Sequence, residues 1–568
     1  MPEETLAPGP PVADVSRAAL LERLEGETFD VAVIGGGITG AGIARDAAMR
    51  GLSVALIDKG DFASGTSGRS SRLIHGGLRY LRQGQMRLVR EALRERGLLL
   101  RLAPHLVRPA PFVLPLYEDS HHRPWRLRFG LVGYDLLAGG LGIGRHRALS
   151  PEKTLEAEPQ LRAEGLEVGF RYFDAVTDDA RLTLIVALSA VRLGAVAVNY
   201  VEAVSLEKTG GRIAGIHYRD LVGGGQGTVR ARAVVSAAGP WTNQVRSLAG
   251  ASSLLRPTKG IHVVVPRARL APNAIIAFGW GGRDHFAISH GEYTYIGTTD
   301  TDYGGDPGTV EADHEDVAYV LEAANGTFTT GLSMSDVVST WAGVRPLLRE
   351  EGAPSSVPRD YDILDGPPGL YTICGGKLTT FRSMAEHLVD HVIEREGVRL
   401  TRRLARCRTA RVPLPGGGAA DFPRYEKEAV AALREGWQIP EEAAKRLVTV
   451  YGTEHVRVLS HAVREPDLLE PLAPGSPVLA VEAVHAARQE MAVTLEDFRR
   501  LRSDQMLFSE EGGRVLTDEA ARLMGGILGW SQQETDRQIV AYREAVARMM
   551  AFRSQAETSA GGRDAAGG

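Results

Sequence analysis

The stretch FDVAVIGGGITGAGIARDAAMRGLSVALID, residues 29–58, decides the fold. FDVAVI is a short apolar run rich in β-branched residues and cut off by glycines, the pattern of a buried strand. GAGIARDAAMRG has helical period, and Gly51 stands just past its end, where a helix terminus favours glycine. LSVALID is the next strand. The βαβ unit so formed opens a doubly wound α/β sheet. Gly35, Gly37 and Gly40 supply GxGxxG at its turn. The first permits a tight turn, the second lets backbone approach a pyrophosphate, and the third lets the helix pack closely on the strand. Ile38 and Thr39 sit on the first helical turn, whose amides and dipole favour a phosphate. Asp58 ends the second strand, where its carboxylate can accept both ribose hydroxyls and disfavours a 2′-phosphate.

The unit begins near the N-terminus and no second GxGxxG follows. The next segment, KGDFASGTSGRSSRLIHGG (59–77), is rich in glycine and small hydroxyl residues. Such a loop offers donors to a diphosphate and a flavin edge, although a plain surface loop has the same composition. Lys59, Thr66, Ser67, Ser71, His75, Gly76 and Gly77 are its candidate cofactor contacts, with Val204 further on and Ala238 and Gly239 at the end of a later strand (SAAGPWT, 236–242). These features favour FAD, bound non-covalently, over a nicotinamide cofactor.

A chain of 568 residues exceeds what one core sustains. Residues 1–26 read as a tail and an amphipathic lead-in helix. Residues 27–410 read as the nucleotide-binding domain with a substrate domain interleaved at about 105–170 and 255–345. There GIHVVVP, HFAISH and YTYIGTTD suit an antiparallel sheet over a substrate pocket. GLYTICGGKLTTFRSMAEHLVDHVI (369–393) reads as strand, glycine turn and helix. A Pro/Gly linker at 411–420 leads into a helical domain at 421–552, marked by Pro440 at a helix start, Thr494 before LEDFRRL, and a capping box at Ser531 and Glu534. Residues 553–568 read as a disordered tail.

Net charge of −4 from 66 basic and 70 acidic residues gives no reason to expect nucleic acid as a partner. Two cysteines, Cys374 and Cys407, make no disulfide framework and suit a reducing compartment. The first residues lack a secretory signal, and the longest apolar stretch, Leu182–Val198, is interrupted by Arg192 and Gly194. A soluble or peripheral cytoplasmic protein is expected.

GGGITGAGIARDAAMRG, SSRLIHGGLRYL, IGTTDTDY with GDP, AGVRPL and GGKLTTFR, in this order, resemble the FAD-dependent glycerol-3-phosphate dehydrogenases, as does EMAVTLEDFRRLR near the end. The resemblance runs over about residues 28–550, and LIHGGLRYL and GGKLTTFR are its most specific parts. It implies an FAD-binding domain of the DAO/glutathione-reductase type, an antiparallel-sheet substrate domain and a C-terminal all-helical domain. It also implies oxidation of sn-glycerol 3-phosphate to dihydroxyacetone phosphate, with electrons passed to quinone or, in an oxidase branch, to oxygen. A peripheral position on the inner face of the cell membrane and a homodimer are further expectations of the family.

That chemistry needs cations for a dianionic phosphate, a base, and donors at the flavin's pyrimidine edge. Arg79, Arg345 and Lys377 match the cations, and a guanidinium fork suits phosphate. His75 is the candidate base, because imidazole titrates near neutrality, and Tyr80 is a candidate donor to substrate. The amides of Gly376, Lys377, Leu378 and Thr379 open a helix and suit charge at the flavin N1–C2 edge. Other readings of the same nucleotide fold are a peroxide-forming glycerophosphate oxidase, an amine or amino-acid oxidase, and a flavin-binding interaction protein without activity.

No metal site is expected. Asp300, Asp302, Gly305 and Glu311 have EF-hand spacing, but Gly304 and Pro307 fall where that loop needs a ligand and an apolar residue. GGKLT has Leu378 where a phosphate-binding loop needs Ser or Thr, and His387 with His391 lacks a third ligand. HHRPWRLRFGLVGYDLLAGGLG (121–142) interleaves basic residues with Trp125, Phe129, Leu131 and Tyr134. It reads either as a core-packed helix or as a monotopic membrane contact.

Overall fold

The computed structural model describes residues 16–82, 84–120, 123–349, 361–397, 399–400 and 404–553. Of the segments expected at 1–26 and 553–568, residues 1–15 and 554–568 lie outside the described residues; the lead-in helix is present as Arg17–Gly26, and Arg553, read as the start of the tail, ends the short helical turn Ala551–Arg553.

The opening unit folds as its periodicity dictates: strand β1 (Thr28–Ile34), helix α1 (Ile38–Met49) and strand β2 (Val54–Ile57). Both strands are buried along almost their whole length, as parallel strands covered on two faces must be. The parallel order across this sheet is Leu370–Gly375, Gln226–Ser236, β1, β2 and Val196–Val198. Tyr361–Asp365 adds an antiparallel edge, and the hairpin Val201–Thr209 with Arg212–Asp220 leads into Gln226–Ser236. Helices α1, Asp179–Arg192 and Phe381–Glu396 cover one face, with Ala41, Ile43, Leu182, Val186, Phe381 and Leu388 in the core beneath them. Gly42 lets α1 meet Phe381, whose ring lies 3.0 Å from where a Cβ would stand.

A second, mixed sheet runs in the order Thr301–Asp302, Leu255–Pro266, Tyr293–Gly297, Arg283–His290, Ile275–Trp280, Arg108–Tyr117, Leu166–Val176 and Leu73–Ile74. Ser339–Leu348 pairs along the length of Leu255–Pro266. Most of its ladders are antiparallel, but Ile275–Trp280 pairs parallel to Arg108–Tyr117. The two sheets are joined through the polar loop after β2, which begins beside the nucleotide turn and ends as the edge strand Leu73–Ile74.

Beyond residue 412 the chain is helical, with Phe422–Trp437, Glu441–Tyr451, Ala480–Gln489, Thr517–Leu528 and Gln532–Met549. The core of these helices continues without a break into the second sheet, through Tyr295, Trp341 and Val264. Even the Pro/Gly connection is packed: Leu414 N donates to Leu102 O at 2.8 Å, and Gly416 O accepts from Thr453 N at 3.0 Å. Charged pairs also cross this boundary. Arg502 forks onto Asp61 at 2.6 and 3.2 Å, with both side chains about 1% exposed.

One local expectation gains detail and another is corrected; Thr494 does cap its helix, its Oγ1 accepting from Asp497 N at 3.1 Å. LEDFRRL forms a wide-pitched π-helix (Asp497–Arg502), a bulge that turns Arg499 and Arg502 inward together. At Ser531 the capping box is only half made. The Ser531 hydroxyl accepts from Glu534 N at 3.1 Å, but the Glu534 carboxylate pairs with Arg537 at 2.6 Å instead of reaching back.

The segment at 121–142 also differs from its reading. Pro124–Ala138 is a helix, and Leu127, Leu131 and Tyr134 turn into the protein. Trp125, Phe129, Val132 and Leu136, spaced 4, 3 and 4 apart, form an outer stripe, exposed by 54%, 71%, 40% and 75%. Leu131 and Tyr134 therefore belong to the core face, because the helical period assigns them there. His121 and His122 lie outside the described residues.

Replacing Arg502 with methionine strands Asp61 in the interior. Loss of one partner of a buried ion pair costs about 3–5 kcal/mol. Arg502→Met is expected to lower unfolding stability by that order in a urea titration; a loss under about 1 kcal/mol contradicts the pairing.

Candidate active site

At the nucleotide turn the glycines are sterically required. Gly35 has φ +111°, and a Cβ there would stand 2.5 Å from Ala237 O. A Cβ on Gly40 would stand 1.8 Å from Gly35 O. Gly37 caps α1 without a side chain, and the first helical amide, Ile38 N, donates to Ser67 Oγ at 2.9 Å. Thr39 follows on the same turn. The Asp58 carboxylate accepts from Gly36 N at 2.5 Å and Gly60 N at 2.8 Å. Burial pushes its pKa up to about 6, against the pull of those two amides and Lys59. The Lys59 ammonium lies 4.5 Å from the centre of the Trp241 ring, so the loop after β2 meets the turn that follows Ala238 and Gly239.

A cavity of about 1210 Å³ extends from this turn between the loop, the second sheet and the GGKLT turn. It gathers Ile38, Thr66, Ser67, Ser71, His75, Gly77, Tyr80, Arg345, Gly376, Lys377, Leu378 and Thr379. Gly35, Gly37, Thr39, Gly40, Asp58, Lys59, Gly76, Ala238 and Gly239 lie outside its lining, as does Val204, which is 39% exposed on its strand. Arg79 belongs to the short helix Leu78–Arg82, but its side chain lies outside the described residues.

The turn His75–Gly77 is held from behind. Gly76 N donates to Tyr134 Oη at 2.9 Å and to Asp174 Oδ1 at 3.2 Å. Tyr134 Oη donates to Asp174 Oδ2 at 2.6 Å, and Arg96 donates to Asp174 Oδ1 at 2.6 Å. In front, His75 N donates to Thr379 Oγ1 at 3.2 Å, which ties this turn to the GGKLT turn. The latter sits at the end of a parallel strand, where ligands of such sheets bind. Lys377 Nζ lies 3.6 Å from the centre of the Tyr80 ring.

Arg345 comes from the long strand of the second sheet. Its guanidinium donates to Thr299 O at 3.0 Å, Asp300 Oδ1 at 3.1 Å and Thr298 Oγ1 at 3.0 Å. It lies flat over Gly260, where a Cβ would fall 2.4 Å from Nη2. Gly260, His262, Thr298, Thr299 and Asp300 are cavity residues that the sequence reading did not assign to the site. Signals existed for four of them: the lone imidazole in the apolar run GIHVVVP, and the motif IGTTDTDY, which contains Thr298, Thr299 and Asp300. His262 Nε2 is 2.8 Å from Ser71 Oγ, and the ring stacks on Trp341 at 4.6 Å. Burial, then the cations Arg345 and Arg72, hold its pKa well below the ordinary histidine range, so the ring is neutral. Arg345, Lys377 and a neutral imidazole thus face one space, whose wall also carries Arg69, Arg123, Arg126, Arg162 and Arg283, an arrangement suited to an anionic ligand.

The family profile described as "FAD dependent oxidoreductase" matches residues 30–391, and "C-terminal domain of alpha-glycerophosphate oxidase" matches 407–535. A glycerol-3-phosphate dehydrogenase from Mycobacterium leprae is 38% identical, over 93% of this chain and 90% of its own. The chain belongs to the FAD-dependent glycerol-3-phosphate dehydrogenase family. An aerobic glycerol-3-phosphate dehydrogenase from Staphylococcus haemolyticus is 35% identical, over 92% of this chain and 95% of its own. The crystal structure of a glycerol-3-phosphate dehydrogenase from Bacillus halodurans, complexed with FAD, superimposes with a TM-score of 0.79 at 32% identity, covering 95% of this chain and 98% of that one. The family's cofactor fits the residues here: a helix N-terminus capped by glycine, the sterically required glycines and Asp58 suit the nucleotide half, and the cavity adjoins them.

Tyr134→Phe removes the hydroxyl shared by Gly76 N and Asp174. An unsatisfied buried group costs about 1–3 kcal/mol. Destabilisation of that size in a urea titration, with faster hydrogen exchange at Gly76, is expected; unchanged exchange contradicts the supporting role.

Proposed function

We propose that the chain oxidises sn-glycerol 3-phosphate at C2 to dihydroxyacetone phosphate and passes the electrons to a quinone. The observation that carries this reading is the convergence of Arg345 and Lys377, from two different sheets, on one cavity that also holds two imidazoles. Bound FAD supplies the two-electron acceptor for the hydride lost from C2. The protein's own groups do the rest. Arg345, already braced by Thr298, Thr299 and Asp300, presents a pre-set fork to the phosphate, and Lys377 adds a point charge. Tyr80 carries the Lys377 ammonium on its ring and so limits where that charge can go. His75 or His262 accepts the C2 hydroxyl proton. His262 is favoured by its neutrality, and His75 by its place on a turn fixed from both sides. The amides of Gly376–Thr379 are the proposed donors to the flavin edge, and the loop residues Thr66, Ser67 and Ser71 the proposed contacts along it.

A quinone acceptor is supported by the outer stripe of the helix Pro124–Ala138, beside Arg123, Arg126 and Arg128. Apolar side chains below a row of cations suit a helix lying in an anionic membrane surface. Among the described residues no helix is long and apolar enough to cross a membrane.

The holoenzyme mixed anaerobically with glycerol 3-phosphate is expected to bleach at the flavin band. A retained flavin that the substrate leaves oxidised sinks the reading. Arg345→Ala is expected to lower kcat/KM roughly 100-fold, about 2.7 kcal/mol of transition-state stabilisation. Gly260→Ala, whose methyl displaces the same guanidinium, should raise KM with the fold intact. Changing Trp125, Phe129, Val132 and Leu136 together to serine should abolish flotation with anionic liposomes; unchanged flotation removes the membrane contact. Hydrogen peroxide formed one-for-one with substrate in air would transfer the reading to an oxidase.

A further inference from the structure

No residue of the helical part lines the cavity, yet one of them reaches its wall at second hand. Arg72 lies in the loop whose neighbours Ser70, Ser71, Leu73 and His75 line the cavity, while Arg72 itself does not. Its backbone is in the left-handed region, φ +56°, which a non-glycine residue holds only when its surroundings impose it. Part of what imposes it is local: Thr177 N donates to Arg72 O at 2.9 Å, and Asp179, 3.7 Å from Arg72 Nε, accepts from Ser70 N at 2.8 Å and Ser70 Oγ at 2.7 Å. The rest comes from the helical part. The guanidinium forks onto Asp504 at 2.6 and 2.8 Å, a bidentate pair with the side chains 4% and 13% exposed. Asp504 is itself left-handed, φ +62°, on the turn that leaves the π-helix Asp497–Arg502. Its backbone carbonyl accepts from Leu507 N and Phe508 N, each at 3.0 Å. The Phe508 ring then lies 5.0 Å from the Arg72 guanidinium carbon. Burial opposes the charge on Asp504, but Arg72, with His290 and Arg446 beyond it, holds the carboxyl below its usual range.

The consequence runs through the adjacent residues. Ser71 Oγ meets His262 Nε2 at 2.8 Å, and Ser71 O accepts from Tyr295 Oη at 3.3 Å. Ser70 O accepts from Trp341 Nε1 at 3.3 Å, and the same indole is the plate on which His262 stacks. Arg72 N donates to Ser70 Oγ at 3.0 Å. A change of φ at Arg72 therefore moves the hydroxyl that orients His262 and the strand that carries His75. The β-pairs Leu73↔Val176 and Ile74↔Ala175 fix the far side of the turn, and on the near side Asp179 holds Ser70, so that Ser71 lies between Ser70 and an Arg72 side chain that Asp504 grips.

We propose that Asp504 is a positioning residue of the active site: through its fork onto Arg72, and together with the Asp179 bonds to Ser70, it sets the conformation at Ser71, and with it the orientation of His262 in the cavity. The helical domain on this account is a structural part of the catalytic machinery, delivered from the far end of the chain. The proposal rests on the reading of the cavity as the site of glycerol 3-phosphate oxidation.

The test uses the holoenzymes of Asp504→Asn, Asp504→Glu and Arg72→Lys, with Tyr200→Phe as a control. Tyr200 crosses the same boundary, donating to Asp497 at 2.7 Å, and does not line the cavity. Per bound flavin, Asp504→Asn and Arg72→Lys are expected to slow anaerobic bleaching by glycerol 3-phosphate at least tenfold, with KM altered less than threefold. Asp504→Glu should recover part of that loss, and Tyr200→Phe should stay within twofold of the parent. The flavin absorption band of the substrate-free Asp504→Asn enzyme should shift, and that of Tyr200→Phe should not. Parent-like bleaching and spectrum in Asp504→Asn overturn the proposal, as does a rate loss shared equally by Tyr200→Phe. Should Asp504→Asn not purify with flavin, Arg72→Lys is read against the same two outcomes. A parent enzyme that glycerol 3-phosphate does not bleach defeats the functional reading alone, and the substrate-free spectra then decide the positioning role.

Discussion

Between β2 and the helix that follows Gly77, one polar loop has to be held still by three layers at once. It cannot do this with an apolar core of its own, since it is built largely of glycine, serine and charged residues. It is held by directed bonds instead. Ser67 takes the first amide of the nucleotide helix, Thr66 reaches Val344 O at 2.5 Å on the Arg345 strand, and Asp61 and Arg72 are gripped from the helical part. Each bond replaces water at a buried group, and an unsatisfied group there is expensive. The loop's rigidity is therefore a property of the whole molecule.

The second sheet contributes a different constraint, one of space. Gly260 and Gly343 are paired across adjacent strands. One leaves room for the Arg345 guanidinium, and a Cβ on the other would stand 2.9 Å from Arg69 O. Small residues on the inner face let a long cation lie flat against the sheet and let the nucleotide loop approach it. The electrostatic result is a cavity in which Arg345 is braced by a carbonyl and a carboxylate, and in which the imidazole beside it is kept neutral first by burial and then by Arg345 and Arg72.

The βαβ opening could be read from sequence because each signal in it is local: a β-branched run, a glycine turn, a helical period and a terminal acid within thirty residues. The helical character of the chain beyond 412 was legible for the same reason. The π-helix at Asp497–Arg502 was not, since the pattern LEDFRRL is compatible with an ordinary helix and only packing makes it widen. Arg345 and Lys377 could be singled out only through motifs shared with a family, because nothing within either segment announces that the two meet. Gly260 and Asp504 escaped altogether. Their meaning comes from strand register and from contacts between ends of the chain, which no window of sequence contains.

The fork between Arg72 and Asp504 spans 432 residues, and that between Asp61 and Arg502 spans 441. A ribosome adding roughly 5–20 residues per second emits the loop after β2 roughly 20–90 s before these partners exist. Through that interval the nascent loop carries polar groups meant for burial with nothing yet to meet them. The last helices to be made are thus what closes the first loop to be made, and a chain that stalls late in translation is left with an open centre rather than a shortened enzyme.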